Sequence, residues 1–497
     1  MSAIRTRTVI VLTLCALLAP QVASGAPQPP PPPDVRPNIV LMLIDDFPAM
    51  DERVFERLPN IKALFLDKGV NFTNYWANFS LCCPGRAAIL TGQTAAHNGV
   101  ILNDARLLDA TETIATELQG VGYHTIIAGK YLNKTGKLSV KLPPGWDQAA
   151  IKDSPPYYSY PLWVNGVRET RGRSPSDYST RVMAGYARQF LENAPVYKPL
   201  FAYFAPNATH GGPDEDSFKD YKLPVVDPAH VDDPRCSGIP NWNPASYNEP
   251  DVADKPAYIR NLGPVPYPTG WPLRKACESL LSVDDWLGAI VDELRNEGRY
   301  NNTLFVLTSD NGMGWGAHRL PGKVAPYTAQ MPLYVSWPAK SGPTQRIDET
   351  LLSNIDLAPT FCELARCEMG PYANGYAVDG QSFLGLIDAS SSESRPERDS
   401  ILIEGGGGGV PPFRAIMTTA DHPLGQWFLI AYVGVRTKEL YDVSGGQCVE
   451  WQAGDPGDPC MLVNVASSRK SIRAALMSEL NDEWSGPLPG SRRAEAP

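Results

Sequence analysis

Apolar runs and amphipathic stretches alternate along most of this chain. Residues 38–44 are nearly continuous in apolar character, the pattern of a parallel strand buried on both faces, and Asp45 and Asp46 stand just past its end. Ile61, Leu64 and Phe65 share one face of a short helix that Gly69 can end. Ile114 and Leu118 mark a helix, followed by a strand over 123–128; a helix over 182–191 precedes a strand over 200–205. A long helix from about residue 273 to 296 leads into a strand over 304–308. This rhythm predicts an α/β fold, a large mostly parallel sheet flanked by helices on both faces. Ligands of such sheets bind beyond the carboxyl ends of the strands.

From about residue 400 the pattern shortens. Residues 401–404, 413–418 and 427–432 predict short strands joined by turns, followed by a helix over about 468–480. The expectation is a smaller C-terminal antiparallel-sheet subdomain with one helix. Gly405 to Gly409 reads as a mobile loop, not a dinucleotide fingerprint, because no Gly-x-Gly-x-x-Gly opens a helix after a first strand. Residues 1–26 have the form of a signal peptide: Arg5 and Arg7, an apolar run over 9–19, then small residues over 22–26. That run is too short to span a bilayer comfortably, so no stable membrane insertion is expected. The expected division is a Pro-rich linker over 27–36, a catalytic domain over 37–395, the C-terminal subdomain over 396–485 and a disordered tail over 486–497.

Composition narrows the function. Hydrophobic residues make up 43% and charged residues 20%, ordinary for a globular protein. A net charge of −10 and a pI near 5.2 argue against general nucleic-acid binding. An anionic substrate would therefore have to be attracted by a few cations gathered in one cleft. Nine cysteines suit an exported protein without defining a disulfide scaffold. Cys448 and Cys460 bracket a Gly/Asp/Pro-rich loop that they could clip; Cys362 with Cys367, and Cys236 with Cys277, are weaker pairings.

Asp45 and Asp46 alone read equally as a solvated turn. Ser309-Asp310-Asn311-Gly312, again directly after an apolar strand, changes that. Three carboxylates and an amide oxygen at one sheet edge are hard ligands, suited to Ca²⁺ or Mg²⁺. Leu81-Cys82-Cys83-Pro84-Gly85-Arg86 sets a cysteine in the frame Cys-x-Pro-x-Arg. Gly129-Lys130-Tyr131-Leu132-Asn133, Thr209-His210 and His318-Arg319-Leu320-Pro321-Gly322-Lys323 follow in order.

On these motifs the chain resembles the sulfatase family, from about residue 37 to 484. The resemblance implies that Cys82 is oxidised to formylglycine (3-oxoalanine) by a formylglycine-generating enzyme. Hydrated, that side chain is a gem-diol: one hydroxyl attacks sulfur, and the other later collapses to the aldehyde and expels sulfate. It also implies a divalent metal, usually calcium, held by Asp45, Asp46, Asp310 and Asn311 together with residue 82. Arg86 would pair with the modified side chain. Lys130 would bind sulfate oxygens, His210 would face the bridging oxygen, and Lys323 would lie near the leaving group. His318 is a candidate pocket residue and, equally, an ordinary loop histidine. His97 reads as structural support.

Two positions depart from the family pattern. Gly85 stands where a serine is usual, and Leu132 where many sulfatases carry a histidine, so the base that deprotonates the gem-diol stays open. The Gly-Lys-Tyr-Leu-Asn stretch, the paired cysteines and Tyr157-Tyr158-Ser159-Tyr160 resemble the glucosamine-6-sulfatase branch. The implied function is hydrolysis of sulfate monoesters, of sulfated amino sugars or aryl alcohols, in a secreted, periplasmic or lysosomal setting. The alternatives are a phosphodiesterase or phosphonate monoester hydrolase of related fold, and a non-catalytic binder of sulfated glycans. Residues 214–270, rich in Pro, Asp and Asn, are expected to include rim loops that set specificity.

Overall fold

Every residue of the first strand, β1 (Asn38–Ile44), is buried. Val40, Met42 and Ile44 enter one core layer and Ile39, Leu41 and Leu43 the other, as the two-residue period of a strand requires. The computed structural model describes residues 34–153, 156–212, 223–390, 396–448 and 451–483. The expected signal peptide, most of the Pro-rich linker and the C-terminal tail lie outside these. Residues 34–36, the end of that linker, are docked: Asp34 N–H donates to the Tyr197 carbonyl (3.0 Å) and Arg36 to the Val121 carbonyl (2.9 Å).

The main sheet continues with β2 (Val70–Phe72), β3 (His124–Lys130), β4 (Gln148–Lys152), β5 (Pro161–Val164) and β6 (Val167–Thr170). It is completed by β7 (Leu200–Ala205), β8 (Thr303–Ser309), β9 (Leu333–Ser336) and β10 (Arg346–Asp348). Spatial order is β10-β2-β9-β8-β1-β7-β3-β4-β5-β6. The five central strands, from β8 to β4, are parallel, whereas β9 joins its neighbours antiparallel and β5 and β6 form an antiparallel edge.

Helices α1 (Cys82–Thr91), α2 (Ile114–Gly120), α3 (Ser179–Glu192), α4 (Arg274–Asn296) and α5 (Leu357–Ala365) cover the sheet. Met183 and Phe190 of α3 join Leu280, Leu287 and Leu294 of α4 against one face. Ala87 and Leu90 of α1, Leu118 of α2 and Phe361 of α5 cover the other. This is the expected two-sided α/β layering.

The C-terminal subdomain is a meander of β11 (Ser400–Gly407), β12 (Val410–Thr418), β13 (Trp427–Tyr432) and β14 (Lys438–Asp442), closed by helix α6 (Lys470–Glu483). Leu476 and Leu480 of α6 pack on Ile416, Leu429 and Leu440. The opposite face packs on Trp76 and Tyr327 of the large domain. Gly405 to Gly409 is not a free loop. Gly405–Gly407 extend β11, and the glycines from 406 to 409, all with positive φ, turn the chain into β12 as a hairpin.

Buried Glu439 of β14 accepts hydrogen bonds from Tyr432 and Tyr441, both 2.6 Å, and from Tyr327. Tyr327 follows Lys323 closely, so the subdomain braces the segment that carries this lysine. Disulfides join Cys236 to Cys277, Cys362 to Cys367 and Cys448 to Cys460. Among the described residues Cys82 and Cys83 are free, and no helix is long and apolar enough to cross a membrane.

Candidate active site

Parallel pairing of β1 with β8 aligns Ile44 with Ser309, so the acids that follow each strand emerge side by side at the carboxyl edge. Asp46 N–H donates to Asp310 Oδ1 (3.2 Å), and Asn311 Nδ2 to Asp46 Oδ1 (2.8 Å). Lys130 ends β3 on the same edge. Gly129 precedes it at φ +119, where a Cβ would stand 2.0 Å from the Ala205 carbonyl oxygen. Helix α1 brings Cys82 to this edge. A Cβ on Gly85 would lie 2.0 Å from the Asp310 carbonyl oxygen, so glycine lets the helix approach the acid-bearing turn more closely than serine would.

Cys82 is present as the thiol, and its Sγ marks where the oxidised side chain would carry its oxygens. Sγ lies 2.9 Å from Lys323 Nζ and 4.0 Å from Asp45 Oδ1. Donor atoms of Asp45, Asp46, Cys82 and His210 all lie within 4.8 Å of one another. Lys130 Nζ donates to Asp45 Oδ2 (2.7 Å) and stands 3.7 Å from Asp310 Oδ2. Lys323 Nζ meets Asp46 Oδ1 and lies 3.4 Å from Asn311 Oδ1. His210 Nδ1 is 2.7 Å from the Gly211 carbonyl oxygen, which assigns the proton to Nδ1 and leaves Nε2, 3.5 Å from Asp46 Oδ2, for proton exchange.

Burial opposes charge on Asp45, yet Lys130 and His210 hold its carboxyl below the usual range. Asp46 is likewise held low, burial notwithstanding, by Lys323 and His210. Burial also works against the charge on Lys130 and Lys323, but Asp45 and Asp46 respectively keep both ammonium groups protonated. Burial pushes the unmodified Cys82 thiol up, which makes it a poor nucleophile as it stands.

Arg86 donates from its guanidinium to Asp310 Oδ2 (2.8 Å) and the Lys130 carbonyl (2.6 Å), bracing the acids beside the unmodified Cys82. Its Nη2 has no hydrogen bond and is 3.6 Å from Asp45 Oδ2. His318 is 3% exposed and does not line the cleft; its Nδ1 is 2.6 Å from Glu249 Oε2 and its ring packs on Tyr327. The buried Glu249 carboxylate is matched by His318 and by Lys255 Nζ, which stands at 3.2 Å. Leu132 is fully buried in the core, and His97 pairs with Asp379 (2.8 Å) as a structural support would.

The motifs did not signal Lys152. It ends β4 in register with Lys130, is 1% exposed, donates to the Asp153 carbonyl (2.7 Å) and lies 5.0 Å from the Tyr160 ring centre. Burial first, then Lys130, push its amine down to about 7. An unfolded lysine titrates near 10.4, so between about pH 7 and 10 the unfolded chain binds the extra proton. Stability should therefore rise with pH across that window, and the cost of holding the amine is full below it. Lys152→Met should remove a slope of up to about 1.4 kcal/mol per pH unit, measurable by urea unfolding of both proteins at pH 7 and 9.5. The other unsignalled side chains are Trp271, Trp315 and Met313, which with Asp46 and His210 line a cavity of about 250 Å³.

The cluster fits a hard divalent cation. Asp45, Asp46, Asp310 and Asn311 are at most 5% exposed and offer oxygen ligands. The Lys323 ammonium already lies against Asp46 and Asn311, so the set gathers positive charge as built.

The sulfatase family profile matches residues 37–367. Human N-acetylglucosamine-6-sulfatase is 30% identical over 397 residues, covering 74% of this chain and 67% of its own length. An extracellular sulfatase SULF-1 homolog of Drosophila melanogaster is 28% identical over 75% of this chain and 33% of its own length. The chain thus spans about two thirds of the first relative and one third of the second. A protein solved in complex with its substrate D-glucosamine-2-N,6-O-disulfate superposes with a TM-score of 0.68 at 18% identity, over 92% of this chain and all of its own, a likeness of fold. With the profile covering most of the chain and the cysteine, acids and lysines of the motifs gathered at one sheet edge, this protein belongs to the sulfatase family of sulfuric ester hydrolases.

Proposed function

We propose that this chain hydrolyses sulfate monoesters of sulfated amino sugars or aryl alcohols, with residue 82 as the nucleophile after Cys82 is converted to formylglycine. The carrying observation is the position of Cys82 Sγ inside a closed ring of charges, 2.9 Å from Lys323 Nζ and 4.0 Å from Asp45 Oδ1. Asp45, Asp46 and Asp310 balance Arg86, Lys130 and Lys323 in charge. Calcium on Asp45, Asp46, Asp310 and Asn311 would supply net positive charge, which the single negative charge of a sulfate monoester complements. Formylglycine would supply the attacking hydroxyl and a route for releasing sulfate.

The chain's own groups have distinct tasks. Lys130, pinned by Asp45, and Lys323 neutralise non-bridging sulfate oxygens; preorganised donors of this kind are typically worth about 3 kcal/mol each in the transition state. His210, its ring oriented by Nδ1–H on the Gly211 carbonyl, gives a proton from Nε2 to the departing oxygen from its doubly protonated form, returning to the neutral ring with Nδ1–H. Arg86 holds the Asp310 carboxylate in place. The N-acetylglucosamine-6-sulfatase name of the human relative supports the amino-sugar part of the reading. Three disulfides support export to an oxidising compartment, with a formylglycine-generating enzyme as the maturation partner.

The test is paired. Peptide mass spectrometry should find formylglycine at position 82 in active protein, and 4-nitrophenyl sulfate should be cleaved far faster than 4-nitrophenyl phosphate. An unmodified thiol in active protein, or a preference for the phosphate ester, would overturn the proposal.

A further inference from the structure

Above the reacting atoms the cleft changes character. Asp46 and His210 form the polar floor of the 250 Å³ cavity, and its walls are mainly apolar, with Trp271, Trp315, Met313 and Leu223 among them. The two indoles lie parallel, ring centres 6.2 Å apart at 4°. Tyr267 packs edge-on against Trp271 at 5.1 Å, and Phe47, the residue after Asp46, against Trp315 at 5.3 Å. The backbone of Trp271 is tied to that of Trp242 by a pair of hydrogen bonds (2.8 and 2.9 Å). Each indole is only 4% exposed. The wall is therefore rigid before any ligand arrives, and binding to it costs little ordering.

We propose that Trp271, Trp315 and Met313 determine specificity, holding the alcohol part of the sulfate ester by the apolar face of a single ring. The inference rests on the sulfate-ester reading above and adds what the site selects. Ligand pockets for drug-sized molecules begin near 300 Å³, so this cavity has room for about one ring beyond the sulfate. An aryl ring and a pyranose share the required chemistry, a flat apolar face, and aromatic walls bind both. Asp46 and His210 put that ring directly beside the bond to be cleaved.

Kinetics on 4-nitrophenyl sulfate, N-acetylglucosamine 6-sulfate and ethyl sulfate, which has no ring, test this. Wild-type kcat/KM should favour at least one ring ester over ethyl sulfate, and the ring ester whose advantage falls most when the wall is altered identifies the source of the ring. Trp315→Leu should lower that preference by about tenfold, chiefly through KM, and Trp315→Phe should restore most of it. Met313→Trp, which fills the cavity from a half-buried position, should lower the preference further, so the test survives a poorly folding Trp315 variant; melting curves identify any such case. Equal losses on ring and ringless esters, or an unchanged preference in both Trp315→Leu and Met313→Trp, would overturn the inference. If the sulfatase reading itself were wrong, the wild type would release sulfate from none of the three esters, a distinct result.

Discussion

Cys82→Ala is expected to lower turnover of 4-nitrophenyl sulfate by on the order of 10⁶, the scale on which losing a covalent nucleophile acts. The fold should tolerate the change. Cys82 is a small, 1% exposed side chain, and its removal leaves no carboxylate without its cation: Lys130 stays on Asp45, and Lys323 on Asp46. Melting temperature should thus move little while rate collapses. Cys82→Ser separates the chemistry further, since a serine hydroxyl could attack sulfur but offers no second hydroxyl to expel the sulfate; a single burst without turnover is expected. Steady rates near wild type in either variant would remove residue 82 from the reaction.

Asp310→Ala should damage both fold and rate. Asp310 Oδ2 accepts from Arg86 at 2.8 Å and stands 3.7 Å from Lys130, with both cations fully buried. Removing it leaves two cations short of a counter-charge in a dry site, which typically costs about 3–5 kcal/mol. It also removes a proposed metal ligand. A chelator should lower the wild-type melting temperature and calcium should restore it, by about 2.7 kcal/mol when the ion is at 100 times its Kd. The Asp310→Ala protein should melt lower from the outset and respond to neither. A chelator-insensitive wild type would remove the metal from the proposal. Asp45 and Asp46 add an acid limit. Their carboxyls are held low in the folded chain, so their contribution is complete above the unfolded value near 3.9 and fades as pH falls through the lower folded values.

Local covalent order accounts for much of what could be read early. β1 is legible because seven consecutive buried residues need an apolar run, and its polar successors must fall at the strand end. The amphipathic periods of α3 and α4 carry the two-sided layering in the same way. Gly405 to Gly409 misled because glycine favours both free loops and tight turns; pairing across β11 and β12 decided between them.

The sequence by itself determined the α/β class, the acids at two strand ends, the cysteine in its frame and the order of the lysines and histidine that follow. These properties depend on neighbours in the chain, and on periodicities that burial imposes on any strand or helix. Tertiary structure alone decided that Arg86 reaches Asp310, that His318 pairs with the buried Glu249, and that Lys152 stands next to Lys130. It also set Trp271 against Trp315. Each of these depends on which distant segment supplies the partner, from 22 residues away in the register of β3 with β4 to 224 for Arg86 and Asp310. Partners at that range are chosen by strand register and by the demand that buried charges be matched, and neither is written into a residue's immediate neighbours.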